Sequence, residues 1–256
     1  MPAPQIIVRA VSTATRSRDG STRMKGPFDL DVRSGEFLAL LGPAGSGKST
    51  LLKLIAGLLK LTSGQIKMLG DPWDAVHPAI GYVLARPYLM PWRTLLQNVL
   101  LQAEIRGLDD KTSRGQAYTL LTMLGLSGAE SRMPHELSPA EAVRGGLCRA
   151  LVHNPSLLLM DDPFRCLDPL DREQIAAEIQ RLSLTPRMTV VLATCLPNEA
   201  VQLADRVAVM APDGTIRQYL SIELPRPRRL DKSTTPQITE YCTAIRLLLH
   251  AYGGLS

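Results

Sequence analysis

Five short, mostly apolar runs divide the chain, and segments with apolar residues at helical spacing alternate with them. The runs lie at residues 36–41, 80–85, 156–161, 188–194 and 206–211. A continuous apolar run of this length, bounded by turn residues, is typical of a strand buried on both faces. Such strands alternating with helices indicate an α/β fold. The pattern therefore predicts an α/β protein in which these five runs are strands.

Helical periodicity is concentrated in three places. Residues 94–152 are mostly helical in pattern, which predicts an inserted helical subdomain with bounds of about 86–154. A helix is also expected over residues 48–59, after the first strand and its glycine-rich loop. Near the end of the chain, QITEYCTAIRLLLHAY (residues 237–252) predicts one amphipathic helix.

The proline-rich basic segment LPRPRRLDK, at residues 224–232, divides this last helix from the rest of the chain. Its prolines and arginines indicate a linker. The sequence thus predicts one main domain over residues 1–222, followed by a linker and a C-terminal helix over residues 223–256.

Composition excludes several classes of protein. With 256 residues, 45% of them hydrophobic and 21% charged, the chain suits a soluble globular protein with a substantial core. No apolar run approaches the ~20 residues of a membrane span, and the N-terminus lacks the apolar centre of a secretion signal. The four cysteines form no CxxC pair, which favours reduced thiols in the cytosol. A net charge of +5 with only 4% aromatic residues argues against nucleic acid as a partner.

The segment LSPAEAVRGGLCR, residues 137–149, has the features of a well-capped helix start. Ser138 can cap the helix, Pro139 suits its first turn, and Glu141 completes a capping box three residues after the cap. A helix is therefore expected to begin at this point.

The loop after the first strand carries the strongest motif. GPAGSGKS, residues 42–49, fits GxxxxGK[ST] between a strand and a helix, the context that the motif requires. Its glycines let backbone N–H groups wrap around phosphate oxygens, and the helix N-terminus adds its dipole. Lys48 is expected to reach the β- and γ-phosphates, and Ser49 to hold Mg²⁺. The predicted nucleotide-binding residues are Gly42, Pro43, Ala44, Gly45, Ser46, Gly47, Lys48, Ser49 and Thr50.

A partner acid for this loop follows the third apolar run. LLLMDD, residues 157–162, reads as a buried strand that delivers the Asp161 carboxylate to the metal. An acid at a strand end is common, so the motif gains its force from the phosphate loop earlier in the chain. Ser49 and Asp161 are thus the expected Mg²⁺ ligands.

These features resemble the ATP-binding subunit of an ABC transporter over nearly the whole chain. The likeness rests on the order of the phosphate loop, a helical insert, LSPAE, LLLMDDPFRCLD and TVVLATCLPNEAVQLADRVAVM. RPYLMPWRTLLQNVLL and the LPRPR tail most resemble subunits of nitrate, sulfonate and taurine importers. The resemblance implies a P-loop NTPase (RecA-like) core with a helical subdomain, ATP and Mg²⁺ as ligands, and a peripheral place on the cytoplasmic membrane face. Permease subunits and, indirectly, a solute-binding protein are the partners it implies.

In this family two subunits dimerise head to tail, and each ATP lies between one phosphate loop and the other subunit's LSGGQ signature. In the signature segment of this chain, residues 137–141, Ser138 survives while Pro139, Ala140 and Glu141 replace the last three residues. Pro139 has no N–H to offer a partner's γ-phosphate, and Glu141 adds a carboxylate near a polyanion. The segment is expected to keep its fold and to lose its ligand.

Four other positions depart from the family pattern. Thr15 stands where the resemblance implies an aromatic ring stacked on adenine, and Ala85 where it implies a glutamine. Asp162 replaces the catalytic glutamate with a side chain one methylene shorter. Cys195 replaces the switch histidine; its thiol is a weak donor, and a small, buried strand-end residue is the favoured interpretation over a redox role. By contrast, the LD pair at residues 167 and 168 agrees with the family.

Three functional hypotheses remain. The first is a subunit that binds Mg-ATP, hydrolyses it weakly and pairs with an intact ATPase subunit. The second is an ordinary hydrolysing ATPase subunit of the same transporter class, with Asp162 as its acid. The third is a regulatory P-loop protein with no role in transport. Trp92 is equally compatible with a place in the core of the helical subdomain and with a groove that receives a membrane subunit.

Overall fold

The computed structural model describes residues 4–16, 22–68, 71–73, 77–108, 110–183, 188–228 and 236–253. Within these ranges lie ten strands and seven α-helices. The strands are β1 (Pro4–Arg16), β2 (Thr22–Arg33), β3 (Phe37–Leu41), β4 (Ser63–Met68), β5 (Asp71–Trp73), β6 (Ile80–Val83), β7 (Leu157–Asp161), β8 (Thr189–Thr194), β9 (Arg206–Met210) and β10 (Ile216–Ser221). The helices are α1 (Lys48–Ile55), α2 (Leu95–Ile105), α3 (Asp110–Met123), α4 (Pro139–Leu151), α5 (Pro169–Ser183), α6 (Pro197–Leu203) and α7 (Pro236–Ala251).

All five predicted apolar strands lie in one six-stranded sheet. Its order is β10-β9-β3-β8-β7-β6. The neighbours from β9 to β6 pair in parallel, and only β10 pairs antiparallel to its neighbour β9. The α/β class expected from the sequence is confirmed.

Strand β3 shows why the apolar runs are continuous. Phe37, Ala39 and Leu41 join the core that contains most of the helices, whereas Leu38 and Leu40 join a second core on the opposite face. Successive side chains point to opposite faces of a strand, so a sheet covered on both faces needs an apolar residue at every position. Helix α1 and the second sheet supply the cover for this opposite face.

The second sheet has the order β2-β1-β4-β5 and was not predicted from the sequence. In β1 the buried residues are Ile6 and Val8, then Val11 and Thr13. The step of three between Val8 and Val11 coincides with a register shift against β2, and Ala10 takes the left-handed conformation with φ 49°. This bulge breaks the alternation by which a half-buried strand is recognised.

Two helical predictions agree with the structure to different extents. The block at residues 94–152 is mostly helical, as expected, and contains α2, α3 and α4. The helix expected over residues 48–59 ends earlier, at Ile55, because Gly57 takes a positive φ of 70° and the chain turns away. None of the helices in the described ranges is long and apolar enough to cross a membrane.

The segment between β6 and α2 is fastened to the helices beside it. Arg149 of α4 donates to the carbonyls of Pro87 and Tyr88 at 2.6 and 3.0 Å. Buried Asn98 of α2 accepts from the Met90 N–H at 2.6 Å and donates to three carbonyls of the same segment. Trp92, however, is 71% exposed and therefore does not belong to the core.

The first residues of the predicted linker pack against the rest of the chain. Arg228 is buried, and its guanidinium donates to four carbonyls, among them those of Val201 and Ala204 at the end of α6. Burial lowers the pKa of Arg228 to about 10. The carbonyls that its guanidinium contacts lie 4 to 27 residues away in sequence, so local composition could not reveal them. Residues 229–235 of the linker lie outside the described ranges.

Candidate nucleotide site

Backbone constraints fix the loop between β3 and α1. A Cβ on Gly42 would lie 2.5 Å from the carbonyl oxygen of Met210, and one on Gly47 would lie 3.0 Å from the Phe28 ring. Gly47 also precedes α1 with φ 101°, a conformation that favours glycine. The glycines at these two positions therefore allow the loop to curl tightly before the helix begins.

Lys48 is directed into this loop. Its buried Nζ donates to the carbonyls of Gly42 and Pro43 at 2.7 and 2.8 Å, and to Ser46 Oγ at 3.4 Å. These oxygens hold the ammonium group within the loop. An ammonium group bonded only to neutral oxygens is stabilised when a charged phosphate oxygen replaces one of them, because the new hydrogen bond is charge-assisted.

Ser49, in the first turn of α1, meets Asp161 at the end of β7. Ser49 Oγ donates to Asp161 Oδ1 at 2.6 Å, although 112 residues separate them in sequence. Tyr82 Oη donates to the other carboxylate oxygen at 3.4 Å, and burial together with this carboxylate raises the pKa of Tyr82. Hydroxyl and carboxylate oxygens are the ligands that Mg²⁺ prefers. The donor set at this point fits that ion.

A cleft of about 560 Å³ opens beside these groups and is called the central cleft below. It is lined by Lys25, Ala44, Gly45, Gly47, Lys48, Ser49, Thr50, Lys53, Ala85, Asp161, Asp162, Arg165, Ala193 and Cys195. The structure thus brings together Ala85, Asp162 and Cys195 with the phosphate loop. Cys195 directly follows β8, as expected, but it is exposed, so the interpretation as a buried residue was wrong.

Asp162 sits in a sharp turn at the end of β7. It takes φ 50°, and its N–H donates to the Ala193 carbonyl at 2.9 Å. Burial raises the pKa of the Asp162 carboxyl group, and the nearby Arg165 acts in the opposite direction. The group is therefore a half-buried acid held at the edge of the central cleft.

Sequence reasoning missed three cations of the central cleft: Lys25, Lys53 and Arg165. Lys53 lies one helical turn after Ser49, so helical spacing from the motif could have indicated it. Arg165 lies in the turn three residues after Asp162, outside any helix. Lys25 arrives from β2, and its Nζ donates to the Gly45 carbonyl at 2.8 Å. No local pattern pointed to Lys25 because its strand was not predicted.

A buried carboxylate supports the segment that carries Cys195. Glu199 Oε2 accepts a hydrogen bond from Thr194 Oγ1, which in turn accepts from the Leu196 N–H at 3.0 Å. Arg172 approaches the other carboxylate oxygen at 3.7 Å. Burial raises the pKa of Glu199 to about 7.

The signature segment forms the capped helix start that the sequence predicted. Ser138 Oγ accepts from the Glu141 N–H at 3.2 Å, and Glu141 Oε2 accepts from the Ser138 N–H at 2.7 Å. Arg132 Nη1 adds an ion pair to Glu141 Oε1 at 2.8 Å. The backbone N–H of Ser138 and the Arg132 guanidinium lower the pKa of Glu141. Ser138 does not line the central cleft.

The Thr15 side chain lies outside the described part of the structure.

Comparison with known proteins identifies the family. The model of the ABC transporter family matches residues 26–165, just over half of the 256 residues. The chain belongs to the ABC transporter family. Among the similar proteins are two named "aliphatic sulfonates import ATP-binding protein SsuB" and "aliphatic sulfonates import ATP-binding protein SsuB 2". The one from Nocardia farcinica is 43% identical over 226 residues, covering 88% of this chain and 87% of the relative. The one from Granulibacter bethesdensis is 40% identical over 210 residues, covering 82% of each chain.

Solved structures agree with the P-loop ABC ATPase fold. A dimeric ATP-binding cassette in a post-hydrolysis state with ADP and Pi matches with a TM-score of 0.75 and 26% identity. The match covers 86% of this chain and all of that one. ATP with Mg²⁺ is the ligand of ABC ATPase domains, and the oxygen and ammonium groups of the central cleft fit it.

Proposed function

We propose that this ABC protein is the ATP-binding subunit of a sulfonate-type importer, with residues 1–222 as its nucleotide-binding domain and residues 86–154 as its helical insert. The names of its relatives support this class of solute. It works at the cytoplasmic membrane face with permease subunits and, through them, with a solute-binding protein. The exposed Tyr88 and Trp92, 64% and 71% accessible, suit a permease contact.

In this proposal the phosphate loop and Asp161 hold Mg-ATP. Lys48 exchanges its carbonyl partners for phosphate oxygens, while the loop N–H groups surround the phosphates. Ser49 and Asp161 hold the metal, which neutralises phosphate charge when bound. The single observation that carries the proposal is this preformed set of Lys48, Ser49 and Asp161 around one cleft.

Hydrolysis at this cleft is proposed to be weak. Asp162 is an acid with a shorter reach than glutamate, and a displacement of about 1 Å can lower a rate on the order of 10²-fold. Ala85 has no polar side-chain atom, and the Cys195 thiol is a weak donor. All three line the central cleft, so no strongly polar side chain at positions 85 and 195 makes up for the short acid.

The signature segment, which does not line the central cleft, supports the same proposal. The N-terminus of α4 is already covered by the Glu141 carboxylate, which Arg132 holds in place. A partner's γ-phosphate at this helix would meet that carboxylate and would find no N–H on Pro139. Losing one preorganised donor of this kind costs roughly 3 kcal/mol in comparable anion sites.

We infer from these two impaired half-sites that the subunit pairs with a different, intact ATPase subunit. A homodimer would place the short acid and the altered signature in both of its sites. In a heterodimer, the site with the partner's catalytic residues would carry most of the turnover. A second candidate, an ordinary hydrolysing subunit, is favoured only by the half-buried Asp162 acid in the central cleft.

Calorimetric titration with Mg-ATP tests the binding proposal. Lys48→Ala is expected to abolish measurable binding because the ammonium group at the loop is lost. Lys67→Ala, on β4 and not among the cleft residues, is the matched control and should bind like the parent. Parent-like affinity of Lys48→Ala would show that ATP binds elsewhere.

Purification of the assembled complex tests the pairing. Its chains are identified by mass spectrometry, and its transport rate is measured after reconstitution in vesicles. Asp162→Asn is expected to lower transport far less than glutamine in place of the partner ATPase's catalytic glutamate. Equal loss from both substitutions would favour the ordinary ATPase. Absence of any permease from the complex would favour the regulatory alternative.

A further inference from the structure

Arg165 has a position that the family motifs do not explain. It lines the central cleft, and its N–H donates to the Asp162 carbonyl at 3.3 Å, so the chain folds back beside that acid. Its side chain is exposed. Across the described ranges, the Arg165 guanidinium forms no hydrogen bond or close ion pair. The arginine thus offers several N–H donors to the cleft without a partner for them.

The other charges of the central cleft show what such a donor can bind. The cations Lys25, Lys48, Lys53 and Arg165 outnumber the carboxylates Asp161 and Asp162. Lys25 and Lys48 already have carbonyl partners, and Asp161 is bonded to Ser49. An excess of positive charge in one cleft favours a polyanion, and a guanidinium matches phosphate oxygens with two parallel hydrogen bonds.

The position of Arg165 selects one end of that polyanion. Ser49 and Asp161 would hold the metal ion that neutralises charge on the last phosphates of the nucleotide. Asp162 continues directly from Asp161, and Arg165 is folded back beside it. Lys25 instead reaches Gly45 at the tip of the loop. Arg165 is therefore at the end of the cleft that the terminal phosphate would occupy.

We propose that Arg165 is an additional phosphate-binding residue, whose guanidinium contacts the terminal phosphate of the nucleotide and takes the place of the donor that Cys195 lacks. This inference rests on the proposed binding of ATP in the central cleft. It makes the subunit selective for ATP over ADP, since only ATP has the phosphate that Arg165 contacts. A subunit that holds ATP without prompt hydrolysis benefits from such selectivity.

The test compares the binding of two ligands to the full-length chain. A non-hydrolysable ATP analogue and ADP, each with Mg²⁺, are titrated calorimetrically into the parent and into Arg165→Gln. The variant is expected to bind the analogue about tenfold more weakly, or about 1.4 kcal/mol, as for one charge-assisted contact at a partly exposed site. Its affinity for ADP should change by no more than about twofold, because ADP lacks the terminal phosphate.

Two further variants separate the possible outcomes. Arg181→Gln removes the same charge from the last turn of α5, at an exposed residue outside the cleft, and should leave both affinities unchanged. Circular dichroism confirms that each variant is folded. An Arg165→Gln protein that binds the analogue like the parent, or loses analogue and ADP affinity equally, overturns the role of Arg165. Parent-like binding by Lys48→Ala overturns the nucleotide site itself and the Arg165 inference with it.

Discussion

Replacing Glu199 with glutamine is predicted to change how the stability of the protein depends on pH. Glu199 is only 5% exposed, and one of its carboxylate oxygens has no hydrogen-bond partner. Burial raises its pKa from 4.5 to about 7 despite the hydrogen bond from Thr194 and the nearby Arg172. Burial of a carboxylate disfavours its charged form. The substitution keeps the shape of the side chain and removes the charge.

Whether stability rises or falls with pH depends on whether the folded or the unfolded state binds more protons. Between pH 4.5 and about 7 the folded protein keeps a proton on Glu199 that the unfolded chain has lost. The contribution of Glu199 to stability is therefore present below pH 4.5 and is lost as the pH rises through 7. At about 1.4 kcal/mol per pKa unit, the loss amounts to roughly 2 to 3 kcal/mol between pH 5 and pH 8.

The stability of the parent protein also depends on pH through His153, so the effect of Glu199 has to be measured as a difference between the variant and the parent. Burial lowers the pKa of His153 from 6.5 to about 4, so its contribution to stability is present above pH 6.5 and is lost as the pH falls through 4. The two groups oppose each other in the same pH range. Only the difference between Glu199→Gln and the parent isolates the carboxylate.

Urea unfolding at pH 5, 6, 7 and 8 provides the measurement. The stability of Glu199→Gln relative to the parent should rise by roughly 2 to 3 kcal/mol from pH 5 to pH 8. Glu104→Gln, which removes a carboxylate 48% exposed on its side chain, is the control and should show a much smaller change. A difference between Glu199→Gln and the parent that stays constant with pH would refute the reasoning.

Two shorter predictions concern the helix start and the acid of the cleft. Ser138→Ala removes the cap of α4 and should lower the free energy of unfolding by about 1 kcal/mol, measured by urea unfolding; Thr119→Ala, at an exposed helical hydroxyl outside any cap, should change it less. Asp162→Glu should raise the ATPase rate of the isolated subunit only in part, because Ala85 and Cys195 remain and such groups act as a unit. A rate restored to about 1 s⁻¹ or above would contradict this dependence on the other two positions.

The parts of the molecule that follow from nearby residues were predictable. The cap at Ser138 depends on Glu141 three residues away, and the apolar run of β3 directly reflects burial on both of its faces. The phosphate loop was recognised for the same reason, since its motif lies within eight consecutive positions. The local sequence pattern thus predicted the phosphate loop of the candidate site.

The remaining parts depend on contacts between distant segments. The bulge near Ala10 conceals β1, so the second sheet and the place of Lys25 in the cleft were not expected. Arg228 resembles a solvated linker residue until the carbonyls of α6 and the Gln180 side chain, which pairs with its backbone, are in place. Arg165 was missed because the family motif specifies the acid three residues before it and no cation at its own position.

The fastening of the segment between β6 and α2 has a mechanical consequence. Arg149 and Asn98 join its backbone to α4 and α2 by hydrogen bonds. A displacement of the segment at Trp92 is therefore transmitted to these two helices. At the end of this segment that lines the central cleft, the methyl side chain of Ala85 is too short to move a bound ligand directly. Movement of the segment between β6 and α2 would therefore tilt α2 and α4, and with them the signature segment at the start of α4. It would have less effect on the phosphates of a nucleotide in the central cleft.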